Sequence, residues 1–292
     1  MCGANLELGE EMFVVGIYGG LASQMNQYAF MRLLKRRFPT VDVRMAIAGE
    51  WRKYMEHNGF ELDNVFGIER YGVDWSTVRR LANFYPGSGC RAKFFNALFQ
   101  IKDRIWGPKK SQITLPTSSV PDWSVFNIDA NRDLLFWSNY SMGFFDEIAE
   151  ELRSAFIFKR PLDSCNEERL SLISSVNSVS IHVRRGDYIK YKYPVLDIAY
   201  YKDAINKIRS RVSNPRFFIF SDDPQWCEYN FGFLQDKEIV VGNQGVKSYI
   251  DLQLMSSCKH NILANSGYSL FAGWLNPNLN KIIIKPNVWP VA

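Results

Sequence analysis

Paired cysteines are missing from this sequence: the five present, Cys2, Cys90, Cys165, Cys227 and Cys258, are odd in number and fall at no paired spacing. That excludes a disulfide framework and fits a reducing compartment. Histidine is scarcer still. Only His57, His182 and His260 occur, none with a second His or Cys at ligand spacing, so no zinc site is expected. No Asp-x-Asp triplet occurs either, which removes the usual carboxylate grip on a divalent ion beside a diphosphate. No run of eighteen apolar residues is present to span a bilayer. Met1–Glu11 carries acids where an export signal would carry bases, and the apolar segment behind it is short and glycine-broken, so a cytoplasmic protein is expected. Repeats and low-complexity stretches are absent, and the net charge is only +5. Its small clusters, such as Lys35-Arg36-Arg37, Arg79-Arg80 and Lys109-Lys110, read as solvated surface, with a phosphate-bearing substrate or an anionic membrane surface as the alternative use. No nucleic-acid partner is expected from so modest a balance.

What is present is enough apolar material for large cores: 47% hydrophobic and 15% aromatic over 292 residues. Phe13 to Tyr18 reads as a buried strand, Gly19-Gly20 as a turn, and the spacing of Gln24, Gln27, Phe30, Leu33 and Leu34 as a helix. Val41 to Ile47 reads as the next strand, whereas Trp51 to Trp137 shows no clean period. Phe145, Ile148, Leu152 and Ala155 recur at helical spacing within Phe144 to Phe158, and Lys159-Arg160-Pro161 breaks the pattern. Two domains follow, 1–160 and 161–292. In the second, strands at Val179–Val183, Phe217–Phe220, Glu238–Val241, Asn261–Ala264 and Lys281–Ile284 alternate with helices at Tyr200–Val212, Tyr249–Ser257 and Tyr268–Leu275. Runs such as Phe217-Phe218-Ile219-Phe220 lack period two, as expected for strands buried on both faces of a doubly wound parallel sheet.

Ligands of such sheets collect at the carboxyl ends of the strands. There the sequence places Arg184-Arg185-Gly186-Asp187-Tyr188, Ser221-Asp222-Asp223-Pro224 and Asn265-Ser266-Gly267-Tyr268-Ser269. Two adjacent guanidinium groups fit a diphosphate, and Gly186 permits a close backbone approach; a solvated pair or a salt bridge to Asp187 is the alternative. The helix start near Ser266 favours an anion. Asp222 or Asp223 is able to accept from N1 and the exocyclic amine of guanine, although Asp223 equally suits the N-cap of the helix opening at Pro224, so Asp222 is assigned to the base. The turn from Gly16 to Gln24 does not make G-x-G-x-x-G, and classical NAD binding by an oxidoreductase is not expected.

Together these segments resemble the bacterial α-1,2-fucosyltransferases of glycosyltransferase family 11. The resemblance is carried by Gly19 to Phe30, by His182-Val183-Arg184-Arg185-Gly186-Asp187-Tyr188, by Phe218 to Pro224 with Trp226, and by Met255 through Asn276. It implies a GT-B fold, α/β with two Rossmann-like domains facing across a cleft, GDP-fucose on the C-terminal one and the acceptor largely on the N-terminal one. It implies no metal and no other cofactor. It also implies that His182 and Asp222 lie near the guanosine, that Arg184 contacts the diphosphate, and that Asn265, Ser266 and Ser269 help to hold phosphate or ribose. The expected reaction is an inverting transfer of L-fucose to a hydroxyl, O2 of a galactoside, on an oligosaccharide or lipid-linked glycan. A GDP-sugar-binding protein with lost transfer activity, or a transferase using a different GDP-sugar or linkage, is the competing expectation. Arg184 is the expected stabiliser of the leaving group. Asp187 is the general base or an ion-pair partner, and His182 a guanosine contact or a core histidine. The acceptor side is expected at Gly20, Ser23 and Gln24, where Ala22, Ser23 and Asn26 depart from the family's usual G-G-L-G-N-Q-M-F-Q. Work on a cell-surface polysaccharide, peripheral to the inner face of the membrane, completes the expectation.

Overall fold

In a computed structural model, residues 12–47, 57–81, 94, 97–98, 101–102, 105, 112–113, 133–136 and 142–289 are described. The chain divides into two compact units, Met1–Ile157 and Phe158–Ala292. Most of the span from Trp51 to Trp137, the segment without a clean period, lies outside the described residues.

The first unit opens with β1 (Met12–Ile17). A turn at Gly19, whose φ of +76° is costly for any residue with a Cβ, leads into α1 (Leu21–Arg37). Helix α1 keeps Met25, Phe30, Leu33 and Leu34 fully buried and places Lys35, Arg36 and Arg37 in its last turn, where the macrodipole favours cations. After β2 (Asp42–Ile47) come the short helices α2 (Leu62–Phe66) and α3 (Trp75–Leu81), then β3 (Gln112–Ile113) and β4 (Leu134–Phe136). These strands form a parallel sheet of order β2-β1-β4-β3. The helix expected from Phe144 to Phe158 is a 3-10 turn, Met142–Ile148, running into α4 (Ala149–Ala155); Phe145, Ile148 and Leu152 are buried, as their spacing requires.

The second unit begins with α5 (Ser164–Ser175), which the sequence reading did not identify. Polar residues hide its period, but Asp163 caps it by accepting from Asn166 N–H. Then follow β5 (Asn177–Val183), α6 (Gly186–Lys190), α7 (Ile198–Arg209), β6 (Pro215–Ser221), α8 (Pro224–Asn230) and β7 (Lys237–Val240). Helix α9 (Tyr249–Ser257), β8 (His260–Ile262), α10 (Gly267–Leu275) and β9 (Ile283–Ile284) complete it. The sheet is parallel throughout, of order β7-β6-β5-β8-β9. From β5 the chain therefore winds outward through β6 and β7, then returns to the other side of β5 with β8. That reversal opens a crevice between the carboxyl ends of β5 and β8.

Strand β5 has two different faces. Val179, Ile181 and Val183 pack into a core with Tyr201, Ile205 and Ile208 of α7 and with Phe217 and Ile219 of β6. Each fully buried side chain of this size contributes about 1.5–3 kcal/mol. The opposite face carries Ser178, Ser180 and His182, all buried. Ser178 Oγ accepts from Lys259 N–H at 3.1 Å and Ser180 Oγ from Asn261 Nδ2 at 2.8 Å. The polar face is thus satisfied rung by rung until it reaches His182.

Candidate functional site

Polar atoms buried without a partner are costly, and natural structures hold few of them. Among the described residues there are five such side-chain atoms: His182 Nδ1, Arg184 Nε, Asp187 Oδ1, Asn265 Oδ1 and Gln253 Oε1. Four of them belong to the carboxyl end of β5 and to the segments that follow β5 and β8, at the crevice between these strands. That concentration marks a place prepared for a polar ligand.

The geometry of the β5 end explains how the side chains are held. Arg184 Nη2 donates to Asp187 Oδ2 at 2.7 Å, and Nη1 lies 3.1 Å from Asp222 Oδ2. Burial by itself would lower the Arg184 pKa, but Asp222 and Asp187 raise it above the usual value, so the guanidinium is firmly charged. Asp222 Oδ1 accepts from the Arg185 backbone N–H at 2.9 Å. A Cβ at Gly186 would approach Asp222 Oδ2 to 3.2 Å, so the close approach that requires glycine is made by this carboxylate. His182 is 5% exposed, and burial, followed by the charge of Arg184, pushes its pKa down to about 3. Its imidazole is neutral at any physiological pH. The Tyr268 ring lies 5.5 Å away, and the Tyr268 hydroxyl donates to the Ser248 carbonyl.

Arg185 takes another direction, since successive residues leaving a strand alternate sides. Its Nε donates to Asp223 Oδ2 at 3.0 Å and its guanidinium sits 4.3 Å from the centre of the Trp226 ring. Asp223 also caps α8, accepting from Trp226 N–H at 3.0 Å. Arg184 is thus held by Asp187 and Asp222, whereas Arg185 ties the β5 end to α8 through its Nε. Each Asp222 carboxylate oxygen serves one partner, Oδ2 the Arg184 guanidinium and Oδ1 the Arg185 backbone, which leaves lone pairs on both for a further donor.

At the β8 end, Asn265 Nδ2 donates to Pro194 O at 2.8 Å while its Oδ1 is left without a partner. Ser266 occupies the N-cap position of α10 with no capping bond from its side chain. Ser269, fully buried, accepts from Ala264 N–H at 2.8 Å and so closes the turn between β8 and α10. Tyr188 was part of the motif but had no role in the sequence reading. Its hydroxyl donates to Asn265 O at 2.8 Å, joining the two sides of the crevice. The hydroxyls of Tyr188 and Tyr268 find their partners 77 and 20 residues away in sequence, so no local spacing marks their roles.

In the first unit, Gln24 is fully buried and acts as a staple. Its Nε2 donates to Gly19 O at 2.9 Å and Gly59 O at 2.8 Å, and its Oε1 accepts from Glu61 N–H at 2.8 Å. With both its amide atoms engaged, Gln24 shapes the glycine turn. Ser23 and Gly20 are half-buried; a Cβ at Gly20 would lie 3.4 Å from His57 Nδ1, and one at Gly19 would lie 3.1 Å from Ser23 Cβ.

Comparison with known proteins agrees with this architecture. The chain is 29% identical to an alpha-1,2-colitosyltransferase of Escherichia coli, over 94% of this chain and 91% of that protein. It is 26% identical to the O-antigen biosynthesis glycosyltransferase WbnK of Escherichia coli, over 93% of this chain and 92% of the relative. The fold matches that of the NodZ alpha-1,6-fucosyltransferase co-crystallized with GDP, with a TM-score of 0.55 at 14% identity over 92% of this chain and 93% of that one. Fold and topology are those of the GT-B type, α/β with two Rossmann-like units. Residues 128–290, more than half of the chain, match the sequence pattern of Glycosyl transferase family 11, and with β5, β6, β8 and the crevice residues all inside that match, the chain belongs to this family of glycosyltransferases.

Proposed function

We propose that the chain transfers L-fucose from GDP-fucose to a galactoside hydroxyl, O2 by preference, with inversion at the anomeric carbon and without a metal ion. The observation that carries this reading is the set of four unpartnered buried polar atoms around the β5–β8 crevice, with a charged Arg184 among them. Similarity to fucosyl- and colitosyltransferases supports the donor class.

The acceptor oxygen attacks the anomeric carbon as the bond from that carbon to the diphosphate breaks, and negative charge grows on the departing GDP. Arg184 meets that charge with a guanidinium already fixed by Asp187 and Asp222, so little reorganisation is needed at the transition state. The hydroxyl proton passes to a carboxylate. Asp187 offers Oδ1 for this, its Oδ2 being bound to Arg184. Neutral His182 and Asn265 Oδ1 serve as hydrogen-bonding groups for the nucleotide, and Ser266 offers its hydroxyl beside the α10 N-terminus. On the acceptor side, Gly20 and Ser23 shape the contact surface while Gln24 holds it from beneath. No helix among the described residues is long and apolar enough to cross a membrane. We place the enzyme in the cytoplasm at the inner membrane face, acting on an oligosaccharide or lipid-linked glycan.

Purified protein incubated with GDP-fucose and galactose-terminated acceptors should release GDP and form a fucosylated product, equally well with EDTA. Loss of activity on chelation, restored by manganese, would refute the metal-free mechanism. The colitosyltransferase relative favours a second donor reading, tested by offering GDP-activated colitose in the same assay. A several-fold preference for it would reassign the donor.

A further inference from the structure

Beyond the groups that meet the donor, we propose that Tyr188 is a positioning residue: it clasps the β5 and β8 sides of the crevice together and thereby sets the place of Arg184. The inference rests on the functional reading above.

Three contacts converge on this side chain. Its hydroxyl donates to Asn265 O at 2.8 Å. Its ring centre lies 5.8 Å from the Arg184 guanidinium carbon, within the range of a cation–π attraction. The Tyr193 ring meets it edge-on at 5.4 Å.

The segment around it is built to keep it there. Tyr193 N–H donates to Tyr188 O at 2.8 Å, and the chain reverses at Lys192, whose φ of +59° is uncommon for a side chain other than glycine or asparagine. The far end of the segment is held by the same partner that holds Tyr188, because Asn265 Nδ2 donates to Pro194 O. Residues 188–194 therefore form a strap with both ends on Asn265. Burial raises the Tyr188 pKa, with Arg184 opposing, so the phenol stays a donor across the working range.

A group acting through Arg184 should lose its effect when Arg184 is gone, which a merely structural role would not do. We would measure GDP affinity by calorimetry, and transfer from GDP-fucose, for the native protein, Tyr188→Phe, Arg184→Ala and the double variant. Loss of one hydrogen bond should weaken GDP binding about fivefold in Tyr188→Phe. In the Arg184→Ala background the same change should cost less than about 1.5-fold. Equal losses in both backgrounds would overturn the clasp. A native protein that binds no GDP would overturn the functional reading instead, and one that binds GDP without transferring fucose leaves the clasp to be judged by the binding cycle alone.

Discussion

At Arg184 one guanidinium nitrogen is buried and unpartnered, whereas Arg185 is committed to Asp223 and Trp226. The two neighbours should therefore respond differently to truncation. Arg184→Ala is expected to lower kcat for transfer by about 10²–10³, the usual cost of removing a preorganised donor to developing charge. Arg185→Ala should act mainly on stability, lowering the melting temperature while leaving kcat within about fivefold. His182 makes a pH prediction. Its folded pKa of about 3 lies below the ordinary 6.5, so the unfolded chain binds a proton that the folded one refuses. The associated stability is complete above pH 6.5 and is lost as pH falls from 6.5 toward 3. His182→Gln should flatten the acid limb of the melting temperature against pH in that window.

Among elements, the approach from β7 to α9 contains a buried polar chain. Asn243 Nδ2 donates to Asp251 Oδ1 at 2.7 Å, Asn166 Nδ2 of α5 donates to Asn243 Oδ1 at 3.0 Å, and Arg169 binds both Glu238 and Asn166 Oδ1. Burial pushes Asp251 up from 3.8 to about 7, against the opposing pull of Asn243 and Arg169. Here the folded state holds the proton more tightly than the unfolded chain does. Stability should consequently fall as pH rises from 3.8 through 7, the reverse of the His182 effect. Asp251→Asn, which keeps the acceptor oxygen, should remove that decline when unfolding is followed by urea titration at several pH values.

α8 offers a second test at this scale. Asp223→Ala removes both its N-cap and the partner of Arg185, so a loss of about 1–2 kcal/mol in unfolding free energy is expected. The elements were largely legible in sequence because buried parallel strands announce themselves as apolar runs: β6 and α9 came within two residues of their places. Helix α5 was not legible. Its buried face presents Asn166 with only Ile173 as a fully buried apolar residue, and no hydrophobic period exists to be read.

For the whole molecule, the division after Ile157 leaves the second unit with its own sheet, its own core and all of the unpartnered crevice atoms. Residues 158–292 expressed alone should fold cooperatively and retain GDP within about tenfold of the full chain, but should not transfer fucose. Retention of transfer would show that the first unit is dispensable for chemistry.

The sequence by itself determined the strand-end motifs and hence the crevice: local polarity at the carboxyl ends of β5, β6 and β8 follows from chain order, and chain order is all that a doubly wound sheet needs. It also determined that Arg184 and Asp187 are close, since three residues in one turn cannot be far apart. What only the tertiary structure decided is which partners the polar side chains meet. Arg185 meets Asp223, Asp222 meets Arg184 and the Arg185 backbone, and Gln24 meets Gly59 and Glu61, all across 35 to 38 residues of sequence that only the fold brings together, where no periodicity records them.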